Sequence, residues 1–598
     1  MVKEKLTTKT VVRHTSESTL LPNVPIVRRD EEGNMVETNR LLKDSCSCDF
    51  NVIMKEKMFG TKMKTKAIEI SKTELIVDFD SSMNALKAGD VVNLRFKIPE
   101  GTLGEGYEST VRIQGTVSWQ EVKMPNGEVS WKMVFRFVES LDTYFQRTKW
   151  RFITTITLAS LLLVSFFIVL MRVESLVYFK FNKFIYFYSL IAATFLLTRY
   201  IFGALYKNVP INPNYRPGVS IIIPVFNEEE WIHKTIYSCL NQNYPIDKLE
   251  VIVVDDQSTD LTVENVWKAV EKLGQEDEVY KIKERLQVYV MPKNGGKREA
   301  LVDGVAMAKH DLVVFVDSDS FLEPNAILNL VQPFQDPKMG GVAGRTDVEN
   351  KYANSITKLQ VVRYYIAFRV MKAAESYFDC VTCLSGPLSC YRKSLILEHQ
   401  EDWLNQTFLG QPATFGDDRS MTNFILQTHR TAYQDKAICS TVVPDKFGVF
   451  LKQQMRWKRS WLRESLRAGT FIWKKEVFMA LFFYVGLIVP IAAPVVVLYN
   501  LVYVPLYHGI FPATFLMGLF LMAFMMSAAY LFFKRSSLWI FGFVFVLMYE
   551  AVLLWQMPVA WVTFWKSTWG TRDTPQDIEA REKKLGKKLK KDPLTIKS

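Results

Sequence analysis

The sequence predicts a doubly wound α/β domain inserted between membrane-spanning helices and preceded by a small β-barrel. Three patterns carry that prediction. In Asp311 to Glu323, DLVVFVDSDSFLE, an apolar run at 312–316 halts at Asp317-Ser318-Asp319. An apolar run of strand length bounded by polar residues reads as a parallel strand covered on both faces. Uncharged runs of bilayer-crossing length lie on both sides of that domain. Short alternating strands separated by turn residues fill Cys48 to Val138, the texture of a small barrel.

A chain of 598 residues has room for several units. Its hydrophobic fraction of 49% and mean hydropathy of +0.04 coexist with 23% charged residues because the apolar residues are segregated into long runs. The net charge of +12 is crowded beside those runs and at the C-terminus, which fits headgroup attraction and positive-inside bias rather than nucleic-acid binding. Seven cysteines form no repeated framework. Cys380-Val381-Thr382-Cys383 has the spacing of a zinc or redox pair, but no second pair follows, so the thiols are expected to be reduced and cytosolic. The N-terminus lacks the apolar core of a signal peptide.

In chain order, residues 1–45 are polar and short of aromatics, a disordered tail. Residues 46–145 are the barrel, with strands at 65–70, 74–79, 91–98 and 110–119 and turns at Lys87-Ala88-Gly89-Asp90 and Pro125-Asn126-Gly127. Ile68-Glu69-Ile70-Ser71 followed by Leu75 resembles the Asp-x-Ser-x-x-Gly turn of PilZ domains, the cyclic-di-GMP-binding barrels. Glu69 stands for the Asp, Glu74 for the Gly, and no Arg-x-x-x-Arg precedes the barrel. Carboxylates in place of the arginines repel a dinucleotide, which argues against cyclic-di-GMP and for a degenerate barrel serving protein contacts.

Residues 150–206 hold two spans, 152–171 and 185–205, and the basic cluster Arg147-Thr148-Lys149-Trp150-Arg151 places the preceding chain in the cytoplasm. The α/β domain occupies 216–445 and is therefore cytoplasmic. Its apolar strands at 219–225 and 249–254 flank a helix-patterned stretch from Glu228 to Leu240, and acids follow the strands: Asp255-Asp256, then Asp317-Ser318-Asp319. Ligands bind beyond the carboxyl ends of such strands. Two carboxylates one residue apart supply hard oxygens for Mg²⁺ or Mn²⁺ on a nucleotide diphosphate. Residues 446–470 are amphipathic, basic and tryptophan-rich, as suits an interfacial helix. Residues 475–566 hold spans at 477–504 and 509–533 and a last run, 538–565, that lies along or re-enters the membrane; 567–598 is a basic cytosolic tail. The whole reads as a multi-pass protein of the cell membrane, in contact with lipid.

Pro224-Val225-Phe226-Asn227-Glu228, Asp255-Asp256, Gly296-Lys297-Arg298, Asp317-Ser318-Asp319, Gly416-Asp417-Asp418-Arg419 and Gln453-Gln454-Met455-Arg456-Trp457 occur in an order that resembles the processive family-2 glycosyltransferases. Arg363-Tyr364-Tyr365, Gly386-Pro387-Leu388, Phe408-Leu409-Gly410-Gln411 and Trp569-Gly570-Thr571-Arg572 resemble the hyaluronan synthases among them. The resemblance spans about 150–575, and the first 150 residues are outside the usual pattern. It implies a GT-A fold, UDP-sugar donors, a nascent polysaccharide as acceptor, and a channel through the flanking helices.

By that resemblance, Asp255 and Asp256 hold the uracil or ribose side of the donor. Asp319, helped by Asp317, holds the metal. Lys297 and Arg298 add positive charge near the phosphates, and Gly295-Gly296 let backbone approach the ligand. Asp418 is the candidate general base, tuned by Asp417 and Arg419; alternatively Asp417-Asp418 cap the helix that follows, and one residue can serve each purpose. A single base implies inversion and β-linkages. Gln453, Arg456 and Trp457 share a helix face, with Trp457 placed to stack a sugar and Arg456 to meet the diphosphate. Gly386 belongs to the acceptor-facing loop, and Trp569 and Arg572 to a lid over the donor. Alternatives are another exopolysaccharide synthase of cellulose or poly-GlcNAc type, a non-processive glycolipid transferase, and a non-enzymatic second-messenger receptor, which intact acidic motifs beside a degraded barrel motif disfavour.

Overall fold

The computed structural model describes residues 27–29, 35–37 and 46–565, apart from 57–61, 79–85, 101, 104, 124–128, 179–182, 276–279 and 414. The tail predicted to be disordered lies almost wholly outside these residues, as do the Pro125–Gly127 turn, Trp569, Arg572 and the basic C-terminus. Within that tail, Val27–Arg29 pairs antiparallel with Met35–Glu37.

Six antiparallel strands close into a barrel in the order Cys46–Glu56, Lys62–Ile70, Glu74–Val77, Val129–Phe137, Thr110–Lys123, Val91–Lys97. Alternation drives the closure: Val92, Leu94 and Phe96 point inward while the residues between them are exposed. The strands at Cys46 and Val129 were not singled out from sequence, although Val52, Met54, Met133 and Phe135 feed the same core.

The barrel is fastened to the rest of the chain through its acidic 100–108 loop. Glu105 accepts from the Tyr530 hydroxyl and lies 3.8 Å from both Lys351 and Lys534, while Tyr352 donates to Glu108 at 3.1 Å. Arg535 stacks over Trp150 at 5.0 Å.

The central domain is an eight-stranded sheet in the order Leu286–Val290, Leu249–Asp255, Val219–Val225, Leu312–Phe315, Ser389–Arg392, Met339–Val348, Arg430–Thr441, Ser320–Leu322. The first four strands are parallel, so their carboxyl ends share one edge. Alternate residues feed opposite layers: Ile221 and Ile223 face one core, Ile222 and Val254 the other. Gly304 lets the helix Lys297–Met307 press onto the sheet, because a Cβ there would come within 2.4 Å of Ile222.

Among the described residues, four helices are long and apolar enough to cross a membrane: Leu141–Leu170, Phe187–Leu205, Val477–His508 and Phe515–Lys534. The third carries Pro490 and Pro494 in its interior. The last apolar run forms one shorter helix, Ser537–Leu553, and then Gln556–Trp561. Neither reaches the ~20 residues a crossing needs.

The Phe447–Ala468 helix, read as lying in the membrane interface, buries Phe450, Gln454, Leu462, Arg463 and Glu464 within the protein. Asn423 donates to the Glu464 carbonyl at 2.9 Å and Gln556 to the Leu451 carbonyl at 3.0 Å. One face of the helix thus packs against protein, while Phe447, Val449 and Leu466 stay exposed.

Candidate active site

Parallel strands deliver the acids to one edge. The Leu249–Asp255 strand ends at Asp255-Asp256, and Asp317 to Asp319 follow the Leu312–Phe315 strand. Asp418 arrives from the first turn of the helix Asp417–Thr428. A cavity of about 1240 Å³ joins these groups. Asp256, Lys297, Arg298, Asp317, Asp319, Asp417 and Asp418 line one end, and Gln453, Arg456 and Trp457 line its wall. The same cavity reaches Gly486 and Pro490 of the membrane-long helix and Tyr549 and Met557 of the final segments.

Gly386 is the pivot between two carboxylates. Its N–H donates to Asp418 Oδ2 at 2.9 Å, and a Cβ built on it would lie 3.0 Å from Asp317 Oδ2 and 3.1 Å from Asp418 Oδ1. Lys297 Nζ closes on Asp317 Oδ1 at 2.6 Å. Burial raises the proton affinity of Asp418; the Lys297 ammonium opposes that, while Asp317 and Asp417 add to it. Burial works against the Lys297 charge, but Asp317, Asp418 and Asp417 outweigh it and hold the ammonium protonated. The result is a carboxylate with raised basicity beside a fixed cation, the polarity that proton abstraction next to an anionic leaving group requires.

Two predicted capping and binding roles change. The residue before the Asp417–Thr428 helix is Gly416, at φ 87°, and no side chain caps that end. Asp417 is instead buried against Arg298, whose Nε donates to its Oδ1 and whose Nη1 donates to the Trp403 carbonyl at 2.8 Å. Arg298 thus supports the helix that carries Asp418, while it also lines the cavity and, among the described residues, its Nη2 has no hydrogen-bond partner. Similarly, Gly295 and Gly296 bring their N–H groups to Asp256, at 2.7 and 2.9 Å, and not to an open approach. Burial nonetheless raises Asp256 to about 6, with those two bonds acting in the opposite direction. Asp255 turns back into its own loop, accepting from the Ser258 backbone at 2.9 Å and from its hydroxyl, and does not line the cavity.

Residues 217–460 match the family model described as glycosyltransferase like family 2. The sheet domain is a family-2-like glycosyltransferase domain. Its acids stand at the carboxyl ends of its parallel strands, as the resemblance implied. A hyaluronan synthase of Streptococcus pyogenes serotype M3 is 35% identical over 281 residues, covering 47% of this chain and 65% of its own length. An N-acetylglucosaminyltransferase of Rhizobium leguminosarum bv. viciae is 34% identical over 263 residues, covering 44% of this chain and 59% of its own. Hyaluronan synthase 3 of Xenopus laevis is 36% identical over 296 residues, covering 45% and 53%. The match thus takes in less than two thirds of each of these relatives' lengths.

Beyond the predicted set, the glycosyltransferase domain brings in Lys372, buried and donating to Ser385 Oγ, and Glu375, which accepts from Thr382 N at 2.9 Å. Arg363 is stacked over the Trp457 ring at 4.9 Å, and Tyr364 lies 6.1 Å from the same ring. Lys458 directs its ammonium to Gln556 Oε1 at 3.2 Å. Helical spacing from Gln454 could have flagged Lys458, but nothing local identifies its distant partner. Cys380 is buried and Cys383 half-buried, and neither is in a disulfide.

Asp317 and Asp319 are the groups able to hold a divalent cation. Among the described residues no cluster of three or more metal-binding side chains occurs. Two carboxylates fit Mg²⁺ or Mn²⁺ all the same, since these ions complete their shells with diphosphate and water. Asp319 Oδ1 accepts from Thr441 at 3.3 Å, which orients that carboxylate.

Proposed function

We propose that this chain is a membrane-embedded polysaccharide synthase that transfers sugars from UDP donors, with inversion, to a growing β-linked polymer and passes that polymer across the membrane. The carrying observation is the single cavity, which runs from Asp317 and Asp418 past Trp457 to Gly486 and Pro490 of a membrane-long helix. A non-processive transferase has no need of that continuity.

Asp418 takes the proton from the acceptor hydroxyl as its oxygen attacks the anomeric carbon, and the bond to the UDP phosphate breaks from the opposite face. Gly386 N–H fixes Asp418 for that step. Lys297 lies where charge develops on the departing diphosphate, and a divalent cation on Asp317 and Asp319 would supply further charge neutralisation there. Arg298 and Asp417 position the helix. Asp256, with the Gly295-Gly296 turn, forms the nucleoside side. Trp457 offers a face for the acceptor sugar, and Trp569 and Arg572 serve as the lid. On this reading the glycosyltransferase domain is cytoplasmic and the protein multi-pass in the cell membrane. The barrel is a contact module held by its acidic loop and needs no cyclic-di-GMP.

The relatives favour hyaluronan, made from UDP-GlcNAc and UDP-GlcA; the rhizobial relative makes a GlcNAc-only polymer the second reading. UDP release by purified protein, with UDP-GlcNAc, UDP-GlcA and UDP-Glc singly and in pairs, tests both. Long polymer requiring the first two together is the expected result. Polymer from UDP-GlcNAc alone moves the assignment to the second reading, and polymer from UDP-Glc alone refutes both.

A further inference from the structure

Two cations in the wall of the cavity are built differently from Lys297 and Arg298. Lys297 and Arg298 each have a carboxylate, Asp317 and Asp417. Among the described residues, Arg363 and Lys458 have no ion pair, yet both line the cavity. Arg363 is held by the face of Trp457 at 4.9 Å. Lys458 is held by Gln556 Oε1 at 3.2 Å and lies 5.4 Å over the Tyr549 ring. Glu550, the acid nearest in sequence to that ring, keeps Oε2 buried without a hydrogen-bond partner and pairs with neither cation. The two cations are close enough for Arg363 to depress the Lys458 ammonium, which burial already lowers, to about 7. Like charges held together away from water call for an anion.

We propose that Arg363 and Lys458 form a carboxylate-binding subsite for a hexuronate residue of the nascent polysaccharide, an inference that rests on the synthase reading. The partners select the polymer over the donor: Lys458 is fastened to Gln556 and Tyr549, in the final segments, and Arg363 to Trp457, the ring offered to the acceptor sugar. The diphosphate end is already supplied with Lys297. A guanidinium braced on an indole and a lysine braced on an amide give a forked and a point donor, which suits the carboxylate carried at C5 of a uronate ring. A neutral glucan or chitin chain offers nothing to neutralise them.

The test uses the full chain in detergent with UDP present. Its probes are a tetrasaccharide of alternating GlcA and GlcNAc and the neutral GlcNAc tetrasaccharide, with binding measured by calorimetry. Wild type should bind the acidic probe about tenfold or more tightly than the neutral one. Lys458→Met and Arg363→Met should each lose most of that preference, and Lys458→Arg should keep it. UDP affinity, set by other residues, certifies that each variant is folded. Equal affinity for the two probes in wild type, or an undiminished preference in both methionine variants, overturns the subsite. A neutral polymer from the wild-type enzyme overturns the subsite alone, whereas absence of polymer from every donor pair overturns the synthase reading with it.

Discussion

Gly386→Ala isolates the placement of the two carboxylates from their chemistry. The new methyl carbon would lie 3.0 and 3.1 Å from the two Asp317 oxygens and 3.1 Å from Asp418 Oδ1, so something must yield by a few tenths of an ångström. Neither acid retreats freely. Asp418 is tied to the Gly386 N–H at 2.9 Å, and Asp317 to Lys297 at 2.6 Å. If misplacement by about 1 Å costs on the order of 100-fold in rate, a shift of roughly 0.3–0.4 Å costs about four- to sixfold in kcat on the same logarithmic scale. Overpacking of this kind costs about 1–3 kcal/mol, so the protein should still fold. UDP release at saturating donor measures kcat, and calorimetry with UDP measures the donor site, which should change less than twofold. A variant with wild-type kcat would show that these carboxylates are free to move without consequence, and the assignment of Asp418 as the base would fall with its geometry.

Asp418→Asn should lower turnover by about 10²–10⁴ with UDP affinity nearly intact; parallel loss of both would point to donor binding instead. The pH profile of kcat/KM should lose activity on the acid side at a pH above the ordinary carboxylate range, because burial, Asp317 and Asp417 raise Asp418. Lys297→Met removes the charge opposing that rise, so the acid limb should move further up; a downward move would contradict the geometry. Breaking the buried pair with Asp417→Asn or Arg298→Met should destabilise the domain by about 3–5 kcal/mol, read as a lower unfolding temperature, with the double variant losing less than the sum. Glu105→Gln weakens the barrel's hold on Lys351 and Lys534 and should raise hydrogen exchange at residues 100–108 while leaving exchange in the barrel strands unchanged.

What could be read from sequence was what depends on local pattern. The Val219, Leu249 and Leu312 strands are continuous apolar runs, and the last two carry Asp255-Asp256 and Asp317-Ser318-Asp319 at their carboxyl ends. The four long apolar helices were legible for the same reason, since length and lack of charge suffice. What escaped depends on pairs remote in the chain. Arg298 and Asp417 are 119 residues apart, and adjacency to Lys297 pointed to phosphate without revealing that pair. Gly295 and Gly296 looked permissive toward a ligand, but the partner of their N–H groups is Asp256, some 40 residues earlier. The Phe447 helix was legible as amphipathic, but its partners Asn423 and Gln556 are remote in the chain and no local pattern names them. Lys458 showed no sign of its role because Gln556, 98 residues away, belongs to a run too broken to place by hydropathy.

The prolines of the Val477–Leu498 helix have an effect on whatever passes beside them. Pro490 has no N–H, so the carbonyl of Gly486, four residues before it, loses its helical donor; Pro494 does the same to the carbonyl of Pro490. Both residues line the cavity at the depth where it meets the apolar helices. On the proposed synthase reading, main-chain oxygens released in this way would accept from sugar hydroxyls without regard to which hydroxyl is offered, as suits a conduit whose cargo must slide onward after every addition.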